Sequence, residues 1–187
     1  MSKETFSEAV RFFLDVASHV PANAWTNEAL GVWNVRDLVG HTSRAILLVE
    51  EYATEGTTRR GFGTPDEIAE RGRQAGRALG DDPASALRTL ADRVLALVEG
   101  LPDDHPMHTP GGVRPLSRYL PTRVAELTIH TIDLAGALGI EAEPPRECVR
   151  ATLHALADYA VRQGTSMDVA FALTGRKPLP PGFSVVP

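Results

Sequence analysis

The stretch LSRYLPTRVAELTIHTIDLAGAL, residues 116–138, reads as one long helix that stops at Gly139, with proline soon after. At about 100° per residue, Leu120, Leu127, Leu134 and Leu138 form one apolar face. Glu126, His130 and Asp133 form a second stripe, at about 0°, 40° and −20° when Glu126 is zero, roughly 90° from the leucines. From Val124 to Leu138 there is no other charge, and Ile129 and Ile132 lie on the far side, so apolar residues bound the stripe on both flanks. An ordinary surface helix carries more Lys and Glu. The stripe therefore faces either a cleft or solvent, and the composition of its flanks favours the cleft.

The other helices follow from this one. Phe6, Val10, Phe13, Leu14 and Ala17 recur at helical spacing behind the capping box Thr5-Phe6-Ser7-Glu8, which predicts a helix over about 5–19. Asn34 can cap a second helix over about 35–54, answered by Asp37, with Trp33 and Leu38 as a hydrophobic staple. Thr64-Pro65-Asp66-Glu67 opens a third. Gly72, Gly76 and Gly80 weaken that third helix or else let another helix come close. Asp82-Pro83 restarts the chain as a helix over 84–99. Residues 101–115, with four prolines and two glycines, predict an ordered loop or short hairpin. A helix over 145–163 and a short one in the tail complete the list. No useful period-2 pattern appears, so the expected fold is all-α: a bundle of four main helices with a short C-terminal helical appendage, one domain over 1–187.

Composition fits this. The 187 residues carry 19 Lys+Arg against 24 Asp+Glu, a net charge of −5, with 43% hydrophobic residues. That is enough for one sizeable core, and an acidic balance without a basic patch argues against nucleic acid as the main partner. No apolar run approaches the roughly 18–20 residues that span a bilayer, and the N-terminus shows no secretory pattern. The single cysteine, Cys148, excludes an internal disulfide framework and a Cys-cluster zinc site. The expected setting is the reducing cytoplasm, and the sequence also allows a homodimer.

Glu126 and His130, at i and i+4, stand one turn apart and can converge on one divalent ion. His41 lies at the border between the apolar and polar faces of the second helix, where a lone histidine is more often a packed side chain than a ligand. His105 and His108 read as loop residues that could rim a site. Arg59, Arg60, Arg71, Arg73 and Arg77, interleaved with Glu67 and Glu70, read as a solvated face, with a small chance that one arginine meets an anionic substrate. Cys148 stands near a helix start but reads as a buried, inert thiol.

Two segments, WNVRDLVGH (33–41) and AELTIHTIDLA (125–135), resemble the signature segments of the DinB/YfiT-like superfamily, and more narrowly its mycothiol-dependent maleylpyruvate isomerase branch. The ending LTGRKPLPPGF is similar to that branch too. The resemblance implies a DinB-like bundle in which His41, Glu126 and His130 hold a divalent metal, with Asp133 lining the site or supporting a ligand. Zinc fits two histidines and a glutamate; nickel and iron(II) suit the same set. Three protein ligands leave positions open for a thiol such as mycothiol, which would attack an electrophilic small-molecule substrate. Such a protein needs no nucleophile of its own, and no Gly-x-Ser-x-Gly elbow is present. The isomerase of the branch carries a further C-terminal domain, so maleylpyruvate isomerisation itself is not expected of this chain. The alternatives are a metal hydrolase using bound water and a non-catalytic binding bundle.

Overall fold

The computed structural model describes residues 2–57, 61 and 63–186. Four helices form a closed ring of neighbours: α1 (Ser2–Ser18), α2 (Val35–Thr54), α4 (Pro83–Gly100) and α5 (Leu116–Leu138). Helix α1 touches α4 and α5, and so does α2, which is the four-helix bundle expected from the sequence. Its core holds Phe6 and Phe13 of α1, Leu38 and Ile46 of α2, Leu87 of α4, and Leu120, Leu127 and Leu134 of α5, all buried. The leucine face of α5 is therefore the inward one, and Ile129 and Ile132 lie on its exposed side. Outside the ring, α3 (Pro65–Ala78) packs on α2, α6 (Arg146–Gln163) on α5 and α1, and α7 (Ser166–Leu173) on α6. Among the described residues, no helix is long and apolar enough to cross a membrane.

The punctuation of the helices is that of the sequence. Asn34 caps α2, its side chain accepting from Asp37 N–H at 2.9 Å while Asp37 answers the Asn34 N–H. Thr64 and Glu67 make the same reciprocal box on α3. Gly139 and Gly164 close α5 and α6 in the left-handed conformation. One signal misleads: α1 begins at Ser2, so Thr5 lies inside the helix and its capping box is unused. The chain already presents a helical face from Phe6 onward, and the first turn extends outward from it.

Helix α3 lies so close to α2 that a methyl group on Gly40 would sit 2.1 Å from the Gly76 nitrogen and 2.7 Å from the Gly72 carbonyl oxygen. Two glycines of the third helix thus serve close approach. Arg36 donates across the same seam to the carbonyls of Gly76 and Gly80, at 3.2 and 2.9 Å.

Two small antiparallel hairpins complete the fold. β3 (Pro106–Thr109) and β4 (Gly112–Pro115) form the hairpin allowed for by the proline-rich stretch, with Met107 fully buried. β1 (Glu28–Leu30) pairs with β2 (Trp33–Asn34) through Leu30↔Trp33 and Glu28↔Asn34. This second hairpin, which the all-α reading did not include, adds two short strands without changing the fold class. Its strands of three and two residues are too short to show alternation, and Gly31 supplies the positive φ of its turn.

Candidate metal centre

The β1–β2 hairpin and the cap at Asn34 fix where α2 starts, and His41 follows within two turns, on the side that faces α5. Across from it, α5 presents Glu126 and His130 one turn apart. His41 Nε2 lies 4.0 Å from Glu126 Oε2, and His130 Nε2 lies 3.5 Å from the same oxygen. One ligand atom from each residue falls within 4.8 Å of the others, the one such grouping among the described residues. A shell with bonds near 2.1 Å holds its donors about 3.4 Å apart, so modest side-chain rotation would bring this set onto one ion.

The surroundings hold these donors in place. Asp133 Oδ2 lies 3.0 Å from His130 Nδ1, one turn further along the stripe. The Trp33 ring leans on His41 with centroids 4.2 Å apart, and donates its indole N–H to the Ala69 carbonyl of α3 at 3.1 Å. His130 meets His41 edge-on, at 4.8 Å and 84°.

The electrostatics assign different states to the two rings. Burial, and then the neighbouring His130, push His41 down to about 4, so it is neutral at pH 7. Burial acts on His130 in the same direction, but hydrogen bonds to Asp133 and Glu126 outweigh it and raise this ring to about 9. Glu126 resists its own burial through the hydrogen bond from His130 and the charge of Arg123, which hold it down at about 2. Without an ion, then, an imidazolium bridges two carboxylates and faces a neutral imidazole. A cation replacing that proton would meet one ionised carboxylate and two basic nitrogens, a donor set that suits zinc, nickel or iron(II).

The remaining candidates lie elsewhere. His105 Nε2 is 3.0 Å from the Ala53 carbonyl oxygen, and His108 stands against Gly56; neither joins the group. Cys148 is buried, bonded to the Thr5 carbonyl, and burial pushes its thiol up to about 11. Arg73 and Arg77 pair with Glu70, as a solvated face would. Arg59 and Arg60 lie outside the described residues. Arg71 instead lines a cavity beside His41 and Glu126, along with Arg44, Arg114 and Arg123, which sequence reasoning did not single out. Arg123 had a signal: three residues before Glu126, it falls at about 60° on the wheel, next to the polar stripe.

Comparison with curated proteins and with solved structures gave no significant match. Residues 6–135 match the profile of the mycothiol maleylpyruvate isomerase N-terminal domain. The matched span runs from within α1 to within α5, taking in α2 and α4, and contains His41, Glu126, His130 and Asp133. With more than half of its length in that match, the chain belongs to the mycothiol maleylpyruvate isomerase N-terminal domain family.

Proposed function

We propose that this chain, acting as one helical domain in the reducing cytoplasm, binds a divalent metal through His41, Glu126 and His130 and works as a thiol-dependent transferase or isomerase-like enzyme, with mycothiol as the thiol and an electrophilic small molecule as substrate. The observation that carries the reading is the convergence of two imidazoles and a carboxylate from facing helices on a half-open site. Zinc or nickel, or else iron(II), suits this set, and such an ion lowers the pKa of a thiol or water that it binds.

The chain's own residues do the rest. Asp133 accepts the Nδ1–H of His130, which directs its Nε2 toward Glu126. Burial keeps His41 unprotonated, and the stacked Trp33 limits the rotation of its ring. Glu126 stays ionised. No reactive protein nucleophile competes, since the one cysteine is buried and its thiol pKa is high.

Elemental analysis of the purified protein before and after chelation tests the metal, and addition of zinc or nickel should raise the melting temperature by mass action. An equal rise in His130→Ala would overturn the ligand assignment. Monochlorobimane, a generic electrophile, tests the chemistry: conjugate should form with mycothiol and metal together. Turnover with water alone would favour a hydrolase, and no turnover with bound metal would favour a binding bundle.

A further inference from the structure

The cavity beside the metal donors measures about 370 Å³. Two arginines of its wall, Arg114 and Arg123, stand near Glu126, the one carboxylate among the described lining residues, which is engaged with His130 at 3.5 Å. The rest of the wall is largely apolar, including Leu48, Ile68 and the ring of Tyr119. A guanidinium offers five N–H donors in a fixed fork and can lose none of its charge. The bonds of Arg123 fall far short of that capacity. Its Nε donates to Thr122 Oγ1 at 3.1 Å, and its guanidinium lies over the Tyr119 ring at 5.1 Å. Arg114 makes one long bond, to the Gly111 carbonyl at 3.5 Å. Among the described residues, neither has a carboxylate within 4.0 Å. The Tyr119 hydroxyl beside them is buried with no hydrogen-bond partner.

Half-buried guanidinium groups with no carboxylate directly bonded to them leave costly donors unmet unless an anion completes them. We propose that this cavity is a binding site for a small organic anion with an apolar body, its carboxylate held by Arg123 and Arg114 and its body against Leu48, Ile68 and Tyr119. The site rests on the proposed function only for its role next to the metal donors. It recognises the second reactant, and the unused donors of Arg123 and Arg114 are there without any ion.

A neighbouring cavity of about 730 Å³ shares Arg114, Thr122 and Tyr159 with this one and is the competing sink for an anion. Of its own arginines, Arg150 pairs with Glu147 and Arg162 stacks on Tyr159 at 4.5 Å, so the exposed Arg118 is the one left to hold an anion there. Arg118 is therefore the control.

Isothermal titration of the full chain, as purified and after chelation, compares benzoate with benzamide, which has the same shape and no charge. Benzoate should bind about tenfold or more tightly than benzamide, the size of effect expected for a charge-assisted forked bond. Arg123→Gln should remove the preference and Arg118→Gln should keep it. Absence of saturable benzoate binding, equal affinity for the two probes, or an unchanged preference in Arg123→Gln would overturn the site; loss in Arg118→Gln alone would place the anion in the other cavity and overturn it too. If Arg123→Gln does not fold, Arg114→Gln on the hairpin, which both cavities share, is read beside Arg118→Gln: a several-fold loss in the first with the second unchanged supports the site, and an unchanged preference in Arg114→Gln overturns it. Benzoate binding by a chain that takes up no metal would remove the metal reading and leave the anion site standing.

Discussion

Replacing Gly40 with alanine should cost more stability than any other single methyl group added to this protein's helices. The new Cβ would lie 2.1 Å from the Gly76 nitrogen, about 1.3 Å short of the 3.4 Å at which ordinary contacts begin. The obstruction is backbone on both sides, so no side chain can swing away, and α3 must move off α2. Overpacking of this kind typically costs about 1–3 kcal/mol. The movement also strains three hydrogen bonds across the seam, from Arg36 to Gly76 and Gly80 and from Trp33 to Ala69, each worth about 1 kcal/mol. A total of up to about 4–6 kcal/mol should lower the melting temperature by roughly 10–20 °C in a chain of this size. Thermal unfolding followed by far-ultraviolet circular dichroism on chelated protein measures it. Gly136→Ala supplies the opposite sign: this exposed helical glycine has open space around it, and alanine there should stabilise by up to about 1 kcal/mol. A Gly40→Ala protein that melts within about 2 °C of wild type would refute the close seam and with it the account of how α3 is held.

Metal affinity should rise with pH. His130 carries a proton up to about 9, which an ion must displace, so log affinity should climb by about one per pH unit from pH 5 toward 9 and more steeply below about 4, where His41 is protonated too; a competitive chelator titration that is flat with pH would contradict this. Asp133→Asn should weaken metal binding by about 10- to 100-fold, as loss of a carboxylate supporting a ligand imidazole does, and by less than Glu126→Gln, with helix content unchanged; the reverse ranking would show the two carboxylates exchanged. Cys148 should resist a thiol-specific reagent such as dithionitrobenzoate in the folded protein and react fully on denaturation, since burial both shields it and raises its pKa.

Much of this was legible because helix periodicity is a one-dimensional signal. The α5 wheel separated Leu120, Leu127 and Leu134 from Glu126 and His130, and the structure buries the first set and turns the second toward α2. Caps written in adjacent residues, such as Asn34 with Asp37, were equally readable. His41 was not, because its border position on α2 says nothing about which helix lies opposite; only the family resemblance joined it to the α5 pair. The arginines of the cavity were legible only in part: Arg71 belonged to a cluster read mainly as a solvated face, and Arg123 lay beside the polar stripe of α5. Arg44, Arg71, Arg114 and Arg123 come from three helices and a hairpin, and no local pattern says that such residues meet in one cavity, which tertiary packing alone decides. Thr5 erred in the other direction, a sound local capping signal inside a helix that had already begun.

The ring of Trp33 against His41 also has an optical meaning. The chain has two tryptophans. Trp25 lies under the Arg36 guanidinium, at 5.3 Å, whereas Trp33 is the indole in ring contact with His41 and His130. A quenching ion such as nickel, seated between His41 and His130, would darken the emission of Trp33, while zinc, with its filled shell, would leave it bright. Occupancy and the identity of the ion thus become separable in a single unlabelled cuvette, and Trp33→Phe, which keeps a ring against the imidazole, identifies which indole is speaking.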